Sequence, residues 1–245
     1  MLTLFLSLRY ATIELMEESL SCFYCHHSLY RLADGMVKCS VCKRKYSLRR
    51  IEQIKILIKL FCSDENALSA SKNANVTYAT ALKYYQQFRR LIAGYCETQY
   101  NLYRLGNIEY EEYLYTEKSK RKDKTAIFDS YNVLTFGYGE KVYTLLMPSL
   151  RIFKHQFIED HLETTYHKEF SKFMRMSKII KISEYDNSIT KFWHYFEQFI
   201  TPYKGVSHEN FSYYLKEAEF KFNTPLQHRM EIIERLYFSL GGSDI

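Results

Sequence analysis

Four cysteines constrain the fold of this chain more than any other feature. Cys22 and Cys25 make one C-x-x-C pair and Cys39 and Cys42 a second, with thirteen residues between the pairs. A zinc ion takes four thiolates tetrahedrally at about 2.3 Å, and each C-x-x-C turn offers two sulfurs from one short loop. The intervening stretch, HHSLYRLADGMVK, holds the turn signal Asp34-Gly35 between LYRL and MVKC, so it can form a hairpin joining two knuckles. The expected product is an N-terminal segment and zinc ribbon over residues 1–47, with Zn2+ bound by Cys22, Cys25, Cys39 and Cys42. A closed shell of four sulfurs leaves no position for a substrate, so the metal is structural. His26 and His27 read as exposed loop residues rather than ligands. Cys62 and Cys96 lack partners at useful spacing and are expected to pack as small buried side chains.

The ribbon leads into a run of basic character, KRKYSLRR, and then into helical periodicity. In SLRRIEQIKILIKLFC the apolar residues Ile51, Ile54, Ile58 and Phe61 share a helical face, Arg50, Lys55 and Lys59 fall mainly outside it, and Ser47 stands at the cap position. A short helix follows from about Glu65 to Lys72, then the turn Asn73-Ala74-Asn75. A longer helix starts after Thr77, is expected to stop at Gly94, and carries an inward stripe of Ala81, Tyr84 or Tyr85, Phe88, Leu91 and Ile92. Helix, short helix, turn and longer helix is the order of a helix-turn-helix, assigned here to residues 48–105, although a plain three-helix bundle gives the same periodicity. In a helix-turn-helix, Tyr78, Thr80 and Lys83 stand at the end that enters the major groove. Arg89 and Arg90 are expected at phosphates, together with Lys43, Arg44, Lys45, Arg49 and Arg50.

Charge supports that placement. The chain carries +6 overall, but residues 1–105 hold 15 Lys and Arg against 8 Asp and Glu, whereas residues 106–245 hold 19 against 20. Between Met36 and Phe61 there are eight basic residues and one acid, Glu52. Such a density suits a polyanion, and double-stranded DNA is the expected partner. A homo-oligomer is left open. The opening MLTLFLSL is apolar for eight residues, lacks a basic flank and is too short to span a bilayer. The expectation is a cytoplasmic chain with no membrane partner, a setting in which paired thiols hold metal rather than form disulfides.

From Asn107 the texture changes. NIEYEEYLY reads as an aromatic strand, KSKRKDK as a charged loop, and TAIFDSYNVLTFGYGEKVYTLLMP as two strands around Gly137-Tyr138-Gly139, together an antiparallel meander. Beyond Pro148 the sequence is helical in IFKHQFIEDHLETTYHKEFSKFMR, NSITKFWHYFEQFI, SHENFSYYLKEAEFKFN and PLQHRMEIIERLYFSL, with KIIKIS as one candidate later strand. The fold class is α+β.

Ribbon, helix-turn-helix and meander, followed by Asn187, Ile189, Phe192-Trp193, Gly205-Val206 and YLKEAEFKFN from Tyr214 to Asn223, resemble the ISXO2-like (IS1595-type) insertion-sequence transposases. The resemblance implies a ribonuclease-H-like mixed sheet with helices over residues 106–245. It also implies cutting and joining of DNA by three acidic residues and two divalent ions, Mg2+ held near 4 Å apart. The matching positions are Glu111 for the first acid and Asp160, ahead of Tyr166, for the second. At the third, Asn187-Ser188-Ile189-Thr190 places a threonine where the family has an acid. Two readings follow: a transposase-like DNA-binding protein acting through Glu111 and Asp160, or a catalytically inactive transposase-derived regulator. Glu109 and Glu111 also read simply as solvent-facing acids on one strand face. A zinc-stabilised interaction module without nucleic acid is a third.

Overall fold

The computed structural model describes residues 21–104, 109–117, 128, 130–149, 151 and 187–239. Among these, the chain is α+β, with two three-stranded antiparallel sheets and six helices. No helix among the described residues is long and apolar enough to cross a membrane. The chain divides into two compact units: residues 1–91 with 227–245, and residues 92–226.

In the first unit, β1 (Leu29–Arg31), β2 (Val37–Cys39) and β3 (Lys45–Tyr46) form a sheet in that order. The β1–β2 hairpin turns at Asp34-Gly35, as its sequence predicts. Gly35 takes φ +77°, and the Asp34 carboxylate accepts from the Met36 backbone N–H at 3.1 Å. Helix α1 (Leu48–Cys62) buries Ile51, Ile54, Leu57, Ile58, Phe61 and Cys62. Its cap position is Ser47, whose side chain makes no capping hydrogen bond. Helix α2 (Ala67–Asn73) is capped by Asn66, which accepts from Ser69 N–H at 2.9 Å. Asn75, at φ +51°, turns the chain into α3 (Tyr78–Tyr103), where Thr77 Oγ1 accepts from Thr80 N–H at 3.2 Å.

Helix α3 continues past Gly94, contrary to the expected stop. A mid-helix glycine costs about 1 kcal/mol, and burial of Cys96 together with stacking of Tyr100 on Tyr143, centroids 4.1 Å apart, outweighs it. The last helix, α6 (Leu226–Ser239), falls almost wholly within the first unit. Tyr237 packs on Tyr84 and Phe88, and Phe238 on Phe23 and Tyr24. One core therefore joins a thiol knuckle, the early helices and the last helix.

In the second unit, β4 (Glu109–Tyr115), β5 (Tyr131–Tyr138) and β6 (Lys141–Leu146) form the expected meander. Glu111 stands opposite Thr135, and Thr135 opposite Thr144. Helix α4 (Ser188–Phe199) lays Ile189, Phe192, Trp193 and Phe196 on one sheet face, joined by Phe211, Leu215 and Ala218 of α5 (His208–Asn223). Gly137 lets the helix approach closely there, because a Cβ would lie 3.2 Å from Ile189 Cγ1 and Ser188 Oγ and force those side chains to give by a few tenths of an ångström. The outer sheet face receives Tyr100 of α3 against Phe136, Tyr138 and Tyr143. The expected KSKRKDK loop, the helical stretch containing Asp160 and the KIIKIS strand lie outside the described residues.

The segment YLKEAEFKFN, Tyr214 to Asn223, supplies two side chains that pair with backbone of the sheet. Helix α5 clamps the outer edge of β6: Asn223 Oδ1 accepts from Val142 N–H at 2.9 Å and Nδ2 donates to Val142 O at 2.7 Å. Four residues earlier, Glu219 accepts from Thr144 N–H at 2.8 Å and Thr144 Oγ1 at 2.6 Å. Four helical residues advance about 6 Å and two strand residues about 6.7 Å, so the helix and strand repeats match. An edge that would otherwise expose unpaired backbone groups is thereby closed.

Candidate metal centre and basic groove

The two hairpin-linked knuckles bring four thiols together. The Sγ atoms of Cys22, Cys25, Cys39 and Cys42 all lie within 4.8 Å of one another. Cys22 and Cys42 approach to 3.7 Å and Cys25 and Cys39 to 3.4 Å, against about 3.8 Å between sulfurs around tetrahedral zinc. The knuckles repeat one another: the residue after each second cysteine is left-handed, His26 at φ +59° and Lys43 at φ +61°. Val41 N–H donates to Cys39 Sγ at 3.4 Å. Burial pushes the Cys39 thiol up, but donation from the backbone of Val41 and Cys42 and from neighbouring thiols outweighs it, bringing Cys39 down to about 6. The donor set, four sulfurs with no carboxylate or imidazole, fits zinc. His26 and His27 are exposed and outside the group, and Cys62 and Cys96 are buried, as expected.

The basic residues next to this centre are held in different ways. Arg44 stacks on Tyr24, 4.4 Å from the ring centroid, and Lys55 lies 4.8 Å from that of Phe23. Lys45 pairs with Asp34 at 2.6 Å, and Lys43 Nζ donates to Ser40 O at 2.6 Å. Arg49, Lys83 and Arg90 are exposed, and Tyr78 is 50% exposed at the head of α3. Arg89 requires a correction. It is 2% exposed, with its guanidinium 5.8 Å from the Phe61 ring centroid and 5.9 Å from that of Tyr85, and it cannot meet a DNA phosphate. Its place in the sequence shows why: Ala81, Tyr85, Arg89, Ile92 and Cys96 follow one helical stripe, so position 89 faces the core.

Arg49, Arg50 and Thr80 are brought to one groove of 470 Å3, lined also by Ser47, Gln53, Val76 and Tyr84. Tyr84 Oη accepts from Arg50 Nε at 3.1 Å, and Gln53 Nε2 donates to Asn75 O at 3.1 Å, tying α1 to the turn before α3. Gln53 and Tyr84 were not among the expected contacts. Gln53 precedes the buried Ile54 and is unremarkable in helical periodicity, and Tyr84 carries a core signal.

In the second unit, Glu109 and Glu111 share a strand face, as their spacing predicts. Both accept from Asn187 Nδ2 at 3.4 Å, while Asn187 Oδ1 caps α4 by accepting from Thr190 N–H at 2.8 Å. Glu111 and Thr190, 79 positions apart in the sequence, thus lie on two sides of one asparagine. Among the described residues, the four thiols are the one group of three or more His, Cys, Asp or Glu side chains able to share an ion. Asp160 is outside the described residues. Glu109, Glu111 and Thr190 do not by themselves supply a two-metal carboxylate site. A cleft of 600 Å3 is lined by Glu109 and Asn187 together with Gly137, Gly139, Glu140, Ser188, Lys191 and Phe222. Comparison with protein-family models, curated proteins and solved structures gave no match to this chain.

Proposed function

We propose that this chain is a transposase-like DNA-binding protein of the ISXO2 type, in which a zinc-stabilised N-terminal unit grips duplex DNA. The observation that carries the reading is the first unit itself. A four-thiol knuckle pair, a helix, short helix, turn and longer helix share one core, and that core leaves Arg49, Tyr78, Lys83 and Arg90 exposed. In the docking mode of a helix-turn-helix, Tyr78 and Lys83 address base edges at the start of α3 while Arg49, Arg50 and Arg90 neutralise phosphates. Thr80, bonded to Thr77 Oγ1 at 2.8 Å, helps cap the helix as well as lining the groove. Zinc in the knuckles supplies folding energy rather than chemistry. The ribonuclease-H-like scaffold is supported by the β4–β5–β6 meander, with Glu111 on its inner face beside the start of α4.

Asn187 and Thr190 favour recognition without strand transfer. The amide lies within reach of the two carboxylates, and a threonine stands in the third acidic position. In this reading the second unit keeps a transposase scaffold and the chain acts as a DNA-binding or regulatory protein.

The test has two arms. Affinity for duplex DNA is expected to fall with salt, with a log–log slope steeper than about −3, since each neutralised phosphate contributes about −0.9. A slope near zero defeats the DNA-binding reading. Incubation of labelled element ends with Mg2+ is expected to leave them intact, and cleavage that disappears in Glu111→Gln restores the enzymatic reading.

A further inference from the structure

The 470 Å3 groove between the start of α1 and the head of α3 has the features of a built anion seat. Its side-chain lining contains two arginines and no acid. Neither α1 nor α3 has an acidic residue in its first turn. Arginines at the positive end of a helix are disfavoured by the peptide dipoles, so Arg49 and Arg50 in the first turn of α1 do not serve the helix's own stability. Arg50 is exposed and is fixed through Nε by Tyr84 Oη at 3.1 Å, a bond that does not use its terminal nitrogens. Arg49 makes no hydrogen bond or ion pair among the described residues. Gln53 donates to Asn75 O and so fixes the far wall. The walls are therefore bonded in place before any ligand arrives, while one guanidinium stays free to close on it.

We propose that this groove seats a single phosphate of a DNA backbone, with Arg49 as its mobile contact, Arg50 as a contact already fixed in place, and Gln53 and Tyr84 as positioning residues. The inference rests on the DNA-binding reading and adds a specific seat to it. A planar guanidinium grips two phosphate oxygens at once, which distinguishes this contact from the point charge of a lysine. A phosphate held here fixes the register of the head of α3 against the duplex, since Thr80 belongs to both the groove and that helix.

The experiment measures binding of the full chain to a 20-base-pair duplex across a salt series, with zinc content as the check on folding. Arg49→Ala and Arg49→Gln are each expected to weaken binding about tenfold and to reduce the salt slope by about one. Arg49→Lys keeps the charge and loses the fork, so the slope stays and affinity falls about threefold. Tyr84→Phe keeps the ring against Phe88 and Tyr237 and removes the Arg50 acceptor. It is expected to cost about threefold in affinity with the slope unchanged. Lys59→Ala, at the other end of α1, serves as the control and is expected to stay within about twofold. If the wild-type chain binds but Arg49→Ala and Arg49→Gln match Lys59→Ala, the seat is overturned and DNA binding stands. If the wild-type chain shows no salt-dependent binding, DNA binding itself fails.

Discussion

A left-handed residue closes each thiol turn, and in neither turn is it glycine. His26 and Lys43 hold φ near +60°, a conformation that costs a side-chain-bearing residue about 1 kcal/mol or more. Their matched placement, one step after Cys25 and Cys42, means that the thiol geometry imposes it twice. His26→Gly is expected to stabilise the ribbon by about 0.5 kcal/mol, part of the gain being offset by the glycine's freedom in the unfolded chain. Zinc retention against a chelator reads the effect, and faster loss of zinc would contradict it. Cys39→Ser is expected to abolish zinc binding and unfold the hairpin, as mass spectrometry and circular dichroism would report. The four thiols were legible because their spacing encodes their chemistry. Arg89 was misplaced for the opposite reason: an arginine announces a surface, and only the stripe formed by Ala81, Tyr85, Ile92 and Cys96 reveals that its backbone position points inward.

Among the elements, the α5 clamp on β6 explains why residues distant in sequence must stay in register. Asn223 answers both backbone groups of Val142, and Glu219 answers Thr144 two residues on. Asn223→Ala leaves that edge unpaired and is expected to lower the stability of the second unit by about 2 kcal/mol. Urea unfolding followed by the near-ultraviolet signal of Trp193 measures it, and a loss below 0.5 kcal/mol, roughly that of a neutral surface change, would show that the clamp is incidental. Periodicity revealed the helices and the meander, since each has a clear apolar face of its own. It gave no sign of the clamp, which depends on the coincidence of two different repeats. Nor did it reveal Asn187 as the link between Glu109, Glu111 and the start of α4. An asparagine before a helix reads as a cap, and capping uses only its oxygen, so the role of its amide is invisible until the strand is placed beside it.

At the scale of the whole molecule, the first unit is assembled from two ends of the chain. Tyr237 and Phe238 are buried against Tyr84, Phe88, Phe23 and Tyr24, and losing such an aromatic typically costs about 3–5 kcal/mol. A chain ending at Tyr103 is therefore expected to lose cooperative unfolding and to regain it when a peptide spanning Gln227–Ser239 is added. Full DNA affinity from the truncated chain alone would refute this. The local sequence could not disclose that α6 returns to the ribbon, because PLQHRMEIIERLYFSL has an amphipathic face but no label for its partner.

That closing helix also imposes an order in time. The thiol hairpin and the helices after it leave the ribosome long before α6 does, so their shared core stays incomplete until α6 has emerged. Copies abandoned before that point would lack the Tyr237 and Phe238 side chains that cover Tyr84, Phe88, Phe23 and Tyr24, and their thiol hairpin would stand without its aromatic support.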